Sequence, residues 1–511
     1  MHPAALETTT KHGWWSTWLV LGPCFFGLAL LGSVSRGFEA QDETWFLQVV
    51  HRVVSGEVLY RDVFYGATPL AVYVTLPFVY VFGSEIFVSK AVHAICFLLT
   101  LLVSCRVARQ LGSGSRCPLW VILPLFIYVS PHADTVGSLY TPLANLCYLL
   151  CFSACLSWFD GRGNRALLLA GIAAGLTLAA KQNYGVYVAA ALAFSLVLRP
   201  PHSGYAIGRR LGVVTVAACG VTAAMLLPVW WSGGLPAFIE FGFTNKEKYL
   251  QYAGIGYFAG LRENISPVSL FPYLLPWFTV ALLALAWFRA DSAAKRRIAI
   301  VAVFFGMNCL GMYPRADLSH VRHVVPMCVL AWLFAWHQLG LGESGWALPT
   351  MRKALTWCLL AVFGVNLTAI LVPLVSPEYQ FSTIEHFRGT LLRKDLHADI
   401  EAWRDDLHRG LSADNEVFFA STDAAFWYLL TDKRNPTRFD YPLVTAFGQS
   451  GESQVASAFV NGDIGAVLLD VGSYEGVPDL VPMSLVRSAL EHGERVSEIR
   501  FSKLYRRKAA E

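Results

Sequence analysis

Gly37-Phe-Glu-Ala-Gln-Asp-Glu-Thr-Trp-Phe46 stands directly after the first membrane-length apolar run, Trp14 to Val34. It carries an adjacent carboxylate pair, Asp42 and Glu43. It leads into an amphipathic segment in which Trp45, Phe46, Val49, Val50, Val53 and Val54 recur at helical spacing, with Gln48, His51, Arg52 and Ser55 between them. That pattern predicts a helix lying in the membrane interface instead of across it. Two carboxylates are then held at the water–lipid boundary, where a lipid-borne substrate presents its headgroup. A plainer role is local: Asp42 caps the helix and Glu43 complements its dipole from the first turn. The rest of the chain decides between these roles.

Only 15% of the 511 residues are charged and 55% are hydrophobic, where a soluble domain carries about a quarter charged residues. Repeated apolar runs of membrane length make the chain a polytopic α-helical membrane protein. A formal charge of +4 is too small to imply a nucleic-acid partner. None of the eleven cysteines lies beyond residue 375, which excludes a disulfide framework there. Cys147, Cys151 and Cys155 share one helix face as small packing residues.

The loop with Arg106, Arg109 and Arg116 is cytoplasmic by the positive-inside rule. With the first loop, 35–85, outside, only one span fits between them. The short run Ala67 to Phe82, with Pro69 and Pro77, is therefore a half-inserted or interfacial helix. Further runs at 118–130, 139–158, 166–180, 184–198, 211–231, 269–288, 297–312, 324–338 and 354–375 bring the count to about eleven spans. The N-terminus falls in the cytoplasm and the C-terminus outside. Residues 1–375 form the membrane domain. Residues 376–511 form an external α/β domain, with strands over Glu416–Ala420 and Ala466–Asp470, helices over Ala424–Leu430, Ser453–Val460 and Ser484–His492, and a closing strand over Arg495–Arg507. No GxGxxG or P-loop supports nucleotide binding.

On this topology four polar clusters share the outer face: Asp42 with Glu43; His132 with Asp134; Lys181 with Gln182; and Arg315, Asp317 and His320. Ionisable groups at membrane depth are costly and usually face a cavity or one another. Local roles exist for each: Lys181 snorkelling, Arg315 pairing only with Asp317, Asp134 capping a helix. A shared face favours chemistry instead. A carboxylate takes the proton from an acceptor hydroxyl as its oxygen attacks an anomeric carbon. A departing lipid phosphate needs positive charge, from Lys181 or an arginine. A single displacement inverts the anomeric centre.

Glu39-Ala-Gln-Asp-Glu-Thr-Trp-Phe46, followed by Gly56…Leu59-Tyr-Arg-Asp62…Pro69, resembles the first external loop of GT-C superfamily glycosyltransferases, above all bacterial relatives of protein O-mannosyltransferases and the lipid A aminoarabinose transferase. Gly175-Leu-Thr-Leu-Ala-Ala-Lys-Gln182 and Arg315-Ala-Asp-Leu-Ser-His320…Pro326 are similar to later segments of that group. The resemblance implies a polyprenyl-phosphate sugar donor, a lipid, glycan or protein acceptor, and a site in the cell (inner) membrane with the C-terminal domain periplasmic or extracellular. It implies Asp42, Glu43 and Asp134 as catalytic candidates. Lys181, Arg315 and Arg61 become donor-phosphate candidates, with Gln182, Tyr60, Asp62, His132, Asp317 and His320 lining the substrate. Some members of the superfamily use a divalent cation and others do not; Asp42 with Asp134 is the pair that would hold Mg or Mn, and no other cofactor is implied. The rival reading is a transporter or flippase, against which stand the clustering of acids in one loop and the lack of an evident inverted repeat. A non-catalytic assembly protein is the third.

Overall fold

A computed structural model describes residues 22–112, 139–198, 205–244, 250, 254–263, 265, 267–340, 347–448, 450–475, 477–499 and 502–508. His132, Asp134, the run 118–130 and the start of the first span lie outside the described residues.

The chain opens with α1 (Gly22–Ser35), α2 (Asp42–Val54), α3 (Leu70–Phe82) and α4 (Ile86–Gln110). Then come α5 (Tyr140–Phe159), α6 (Asn164–Ala180), α7 (Gln182–Leu198) and α8 (Tyr205–Trp231). Short α9 (Leu235–Ile239) and α10 (Tyr257–Glu263) precede α11 (Pro267–Arg289) and α12 (Ser292–Cys309). The helical part closes with α13 (Leu318–Arg322), α14 (Val325–Gln338) and α15 (Ala347–Val375). Among the described residues four helices are long and apolar enough to cross a membrane: α4, α5, and the apolar stretches of α8 and α11. Others, α6 and α7 included, are apolar but shorter.

These helices pack through small residues. A Cβ at Gly175 of α6 would lie 2.6 Å from the Ala218 carbonyl oxygen of α8, so that crossing needs glycine. Cys147, Cys151 and Cys155 are buried along α5.

The C-terminal part is α/β. A two-stranded antiparallel ribbon, β1 (Tyr379–Phe381) with β2 (Leu391–Arg393), leads into α16 (Lys394–Gly410). Then follow β3 (Phe418–Ala420), α17 (Ala424–Thr431), α18 (Gly451–Asn461), β4 (Ala466–Leu469), α19 (Met483–His492), β5 (Gly493–Ile499) and β6 (Ser502–Arg507). The sheet order is β3-β4-β6-β5, with only β3 and β4 parallel. The single closing strand expected over Arg495–Arg507 is a hairpin of two strands. Helix α16 escapes the apolar-run reading because only His397, Ile400 and Leu407 of its seventeen residues are buried.

One hydrophobic cluster runs from Trp45 to Tyr505, so the helical and α/β parts share a core. Helix α2 sits in it, packed against α3, α4 and α17. The expectation had the apolar face of α2 against lipid; in the structure protein covers it. The apolar face is present, and burying Trp45, Phe46, Val49 and Val50 is worth about 1.5–3 kcal/mol each. The polar face, however, is covered too: Gln48 and Arg52 are buried.

Candidate functional site

At the start of α2 the chain turns through Gly37, whose φ of +78° is a backbone shape that favours glycine. Glu39 then folds back over the helix start. Its carboxylate accepts from the Gln41 N–H (2.8 Å), the Asp42 N–H and the Glu43 N–H (3.0 Å). The unsatisfied donors of the first turn are thereby met by Glu39. Asp42 is not the cap, and its carboxylate accepts no hydrogen bond from the described residues. It reaches open space yet is enclosed by enough protein that burial raises its pKa. The Asp317 charge adds to that rise, while Arg315, His320 and Lys181 oppose it. Burial, then the neighbouring Asp42, lifts the Glu39 pKa to about 7.

Lys181 occupies the single-residue break between α6 and α7, in an extended conformation (φ −155°, ψ 120°). Gly185 closes the bend: a Cβ there would lie 2.5 Å from the Leu178 backbone. The Lys181 ammonium donates to Thr141 Oγ1 at 2.8 Å. It also lies 5.1 Å from the Tyr140 ring centre and 5.3 Å from that of Tyr184, a cation–π arrangement.

The third component is the loop before α14. Ile255 clamps it by pairing with Pro314 and Ala316 at 3.1 and 2.9 Å. Asp317 caps α13, accepting from the His320 N–H (2.9 Å) and His320 Nδ1 (2.7 Å), and it pairs with Arg315. Burial works against the Asp317 charge, but His320 and Arg315 overcome it and hold the carboxyl well below its usual range.

Asp42, Lys181, Arg315, Asp317 and His320 are thus brought into one electrostatic neighbourhood from three distant segments. The other sequence candidates among the described residues have these partners. Glu43 forms a buried ion pair with Lys90 of α4 (2.9 Å), and Lys90 also donates to the Ser33 carbonyl (3.0 Å). Tyr60 is fully buried with φ +70°, its hydroxyl donating to the Ala67 carbonyl at 2.7 Å. Arg61 is exposed and pairs with Asp62 at 2.9 Å; Asp62 also accepts the Val58 N–H (2.9 Å). Gln182 straps two loops together, donating to the carbonyls of Gly66 (3.1 Å) and Gly242 (2.9 Å). Among the described residues no group of three or more His, Cys, Asp or Glu side chains is placed to hold a metal.

Sequence reasoning missed Glu39, Tyr140, Thr141 and Tyr441. Glu39 was legible as an acid three residues before Asp42. Tyr441, from the C-terminal part, interacts electrostatically with Asp42, Glu39, Tyr140 and Arg315. It has no local signal, because only the fold brings it there.

No family model and no curated protein sequence matches the chain. Solved structures do. ArnT from Cupriavidus metallidurans bound to undecaprenyl phosphate is 14% identical over 97% of this chain and 98% of its own, with a TM-score of 0.58. The apo state of the same protein, also 14% identical, gives 0.60 over 96% and 98%. The Archaeoglobus fulgidus oligosaccharyltransferase, in complex with zinc and sulfate, is 11% identical over 92% of this chain and 71% of its own, with a TM-score of 0.53. The chain shares the fold of these GT-C glycosyltransferases, as the short motifs of the first loop implied.

Proposed function

We propose that the chain is an integral membrane glycosyltransferase that moves a sugar from a polyprenyl-phosphate donor to an acceptor hydroxyl, with inversion, on the outer side of the membrane. The observation that supports this most is the grouping of Asp42 with Lys181 and Arg315. Asp42 is the general base: it spends no hydrogen bond on the helix and is raised in pKa toward its task. Lys181 and Arg315 hold the donor phosphate and stabilise the charge that develops as it leaves. Asp317 and His320 orient Arg315. The solved ArnT structure that holds undecaprenyl phosphate has the same fold, which supports a lipid-phosphate ligand for this site. Asp42 with Asp134 remains the pair proposed for a divalent cation. In this reading residues 376–511 are an external, periplasmic or extracellular, domain and the N-terminus is cytoplasmic.

The test uses full-length protein in nanodiscs. Undecaprenyl phosphate binding, followed by native mass spectrometry, weakens by about 10- to 100-fold in Lys181→Ala and in Arg315→Ala, the scale of one charged hydrogen bond. Asp42→Asn keeps that binding and loses about 10²- to 10⁴-fold in transfer from undecaprenyl-phosphate-linked sugars. Full transfer by Asp42→Asn, or unchanged binding in the Lys181→Ala/Arg315→Ala double variant, refutes the assignment.

A further inference from the structure

Residues 435–441 bring a segment of the C-terminal α/β part to the site. Its shape is fixed internally by Asn435, whose side chain accepts from the Thr437 N–H (2.8 Å) and donates to the Phe439 carbonyl (3.0 Å) and to Asp440 Oδ1 (2.9 Å). It is fixed externally by Arg52, two turns along α2 from Trp45. The Arg52 guanidinium pairs with Asp440 at 2.7 Å and with Glu57 at 2.5 Å. It also donates to the carbonyls of Thr437 (2.9 Å) and Asp62 (3.0 Å). Asp440 is wholly buried. The Phe64 N–H adds a bond to the Arg438 carbonyl at 2.7 Å.

A buried ion pair returns little net stability, since desolvation consumes most of the attraction. What it does supply is register. The residue whose position this register sets is Tyr441, next to Asp440. Its ring packs on Trp45 with centroids 5.4 Å apart. Trp45 stands three residues after Asp42, on the same face of α2. Tyr441 is thereby carried to the Asp42 end of the helix. Burial first, then the carboxylates of Asp42 and Glu39, push its pKa well above 10, so it remains a neutral O–H donor with an aromatic face.

We propose that Tyr441 is a substrate-contacting residue of the transfer site, supplied by the C-terminal part, and that the Arg52–Asp440 pair is the positioning device that holds it beside Asp42. The ligand it suits is the hydroxyl-bearing ring of the transferred sugar, which offers oxygens to the phenol and C–H groups to its face. This rests on the reading of Asp42 and Lys181 given above.

The experiment measures turnover of a panel of undecaprenyl-phosphate-linked pentoses and hexoses by full-length protein in nanodiscs, together with affinity for undecaprenyl phosphate alone. Tyr441→Phe, which deletes one oxygen, lowers kcat/KM by about 10- to 100-fold and leaves undecaprenyl phosphate affinity within about twofold, since the phosphate is held by other residues. Asp440→Asn lowers kcat/KM as well. The double variant Asp440→Asn/Tyr441→Phe is no worse than Tyr441→Phe alone, because the ion pair acts through the tyrosine. Wild-type turnover in Tyr441→Phe, or losses that multiply in the double variant, overturns the proposal. Should Asp440→Asn fail to fold, Tyr441→Phe decides alone. If Asp42→Asn and Lys181→Ala abolish function while Tyr441→Phe does not, only this inference falls; if Asp42→Asn stays active, the underlying reading falls first.

Discussion

Asp42 and Glu43 are adjacent in sequence and separate in role. Consecutive residues on a helix point about 100° apart. One carboxylate therefore meets the Lys181–Arg315 neighbourhood and the other meets Lys90. Glu39 makes this division workable by taking over the cap. Two pH responses follow. Because the Asp42 pKa is raised, the acid limb of kcat/KM lies above the ordinary carboxylate value of about 4. Arg315 opposes the rise, so Arg315→Gln moves that limb to still higher pH; a pH–rate profile checks the direction. For Glu39, the folded pKa of about 7 exceeds the unfolded 4.5. The folded state binds the proton more tightly, so stability falls as pH rises from about 4.5 to 7 and is level beyond. Thermal midpoints across that window should fall in the wild type and flatten in Glu39→Gln. At this scale, Asp42, Lys181, Arg315, Asp317 and His320 were readable because each is an ionisable residue at the end of an apolar run. For Tyr60, Arg61 and Asp62 only the fold shows the partners: the Tyr60 hydroxyl bonds to Ala67, Arg61 pairs with Asp62, and Arg61 also donates to the Ser232 carbonyl.

Helix α2 shows what periodicity conveys and what it leaves open. The spacing of Trp45, Phe46, Val49 and Val50 identified the helix and its apolar face. It carried no information on what lies over the polar face, because Arg52 and Glu43 satisfy their charges with Asp440 and Lys90, which are remote in the chain. A lipid interface and a protein interface impose the same pattern on such a segment. The difference is measurable through the Glu43–Lys90 pair, whose side chains are 1% and 0% exposed. Lys90→Met leaves a buried unpaired carboxylate and should destabilise by about 3–5 kcal/mol, whereas the double change Glu43→Leu/Lys90→Met should recover most of that loss. Detergent-stable unfolding of the two variants separates these outcomes. Equal stability of Lys90→Met and wild type would mean that α2 is not seated on α4.

At the scale of the whole molecule, the two flanks of α3 decide the path of the chain. Before α3, the Phe64 N–H bonds to the Arg438 carbonyl at 2.7 Å. After it, the Ile86 N–H bonds to the His386 carbonyl at 2.9 Å, His386 Nδ1 donates to the Ser84 carbonyl at 2.6 Å, and the Arg388 N–H donates to Glu85 at 3.1 Å. Both ends of one helix thus meet the same C-terminal part. We propose from this that the C-terminal part stays on one side of a membrane and that α3, with both ends against it, does not cross. Length agrees: thirteen residues rise about 20 Å, against a hydrocarbon core of about 30 Å. The proposal agrees with the expectation from loop charge, which rests on Arg106, Arg109 and Arg116. A cysteine placed at Gly83 and another at Ser453, in α18, should therefore react with a membrane-impermeant maleimide from the same face of the cell, in a background freed of its exposed native thiols. Labelling of the two positions from opposite faces would break α3 away from the C-terminal part, and with it the arrangement that brings Tyr441 to Asp42.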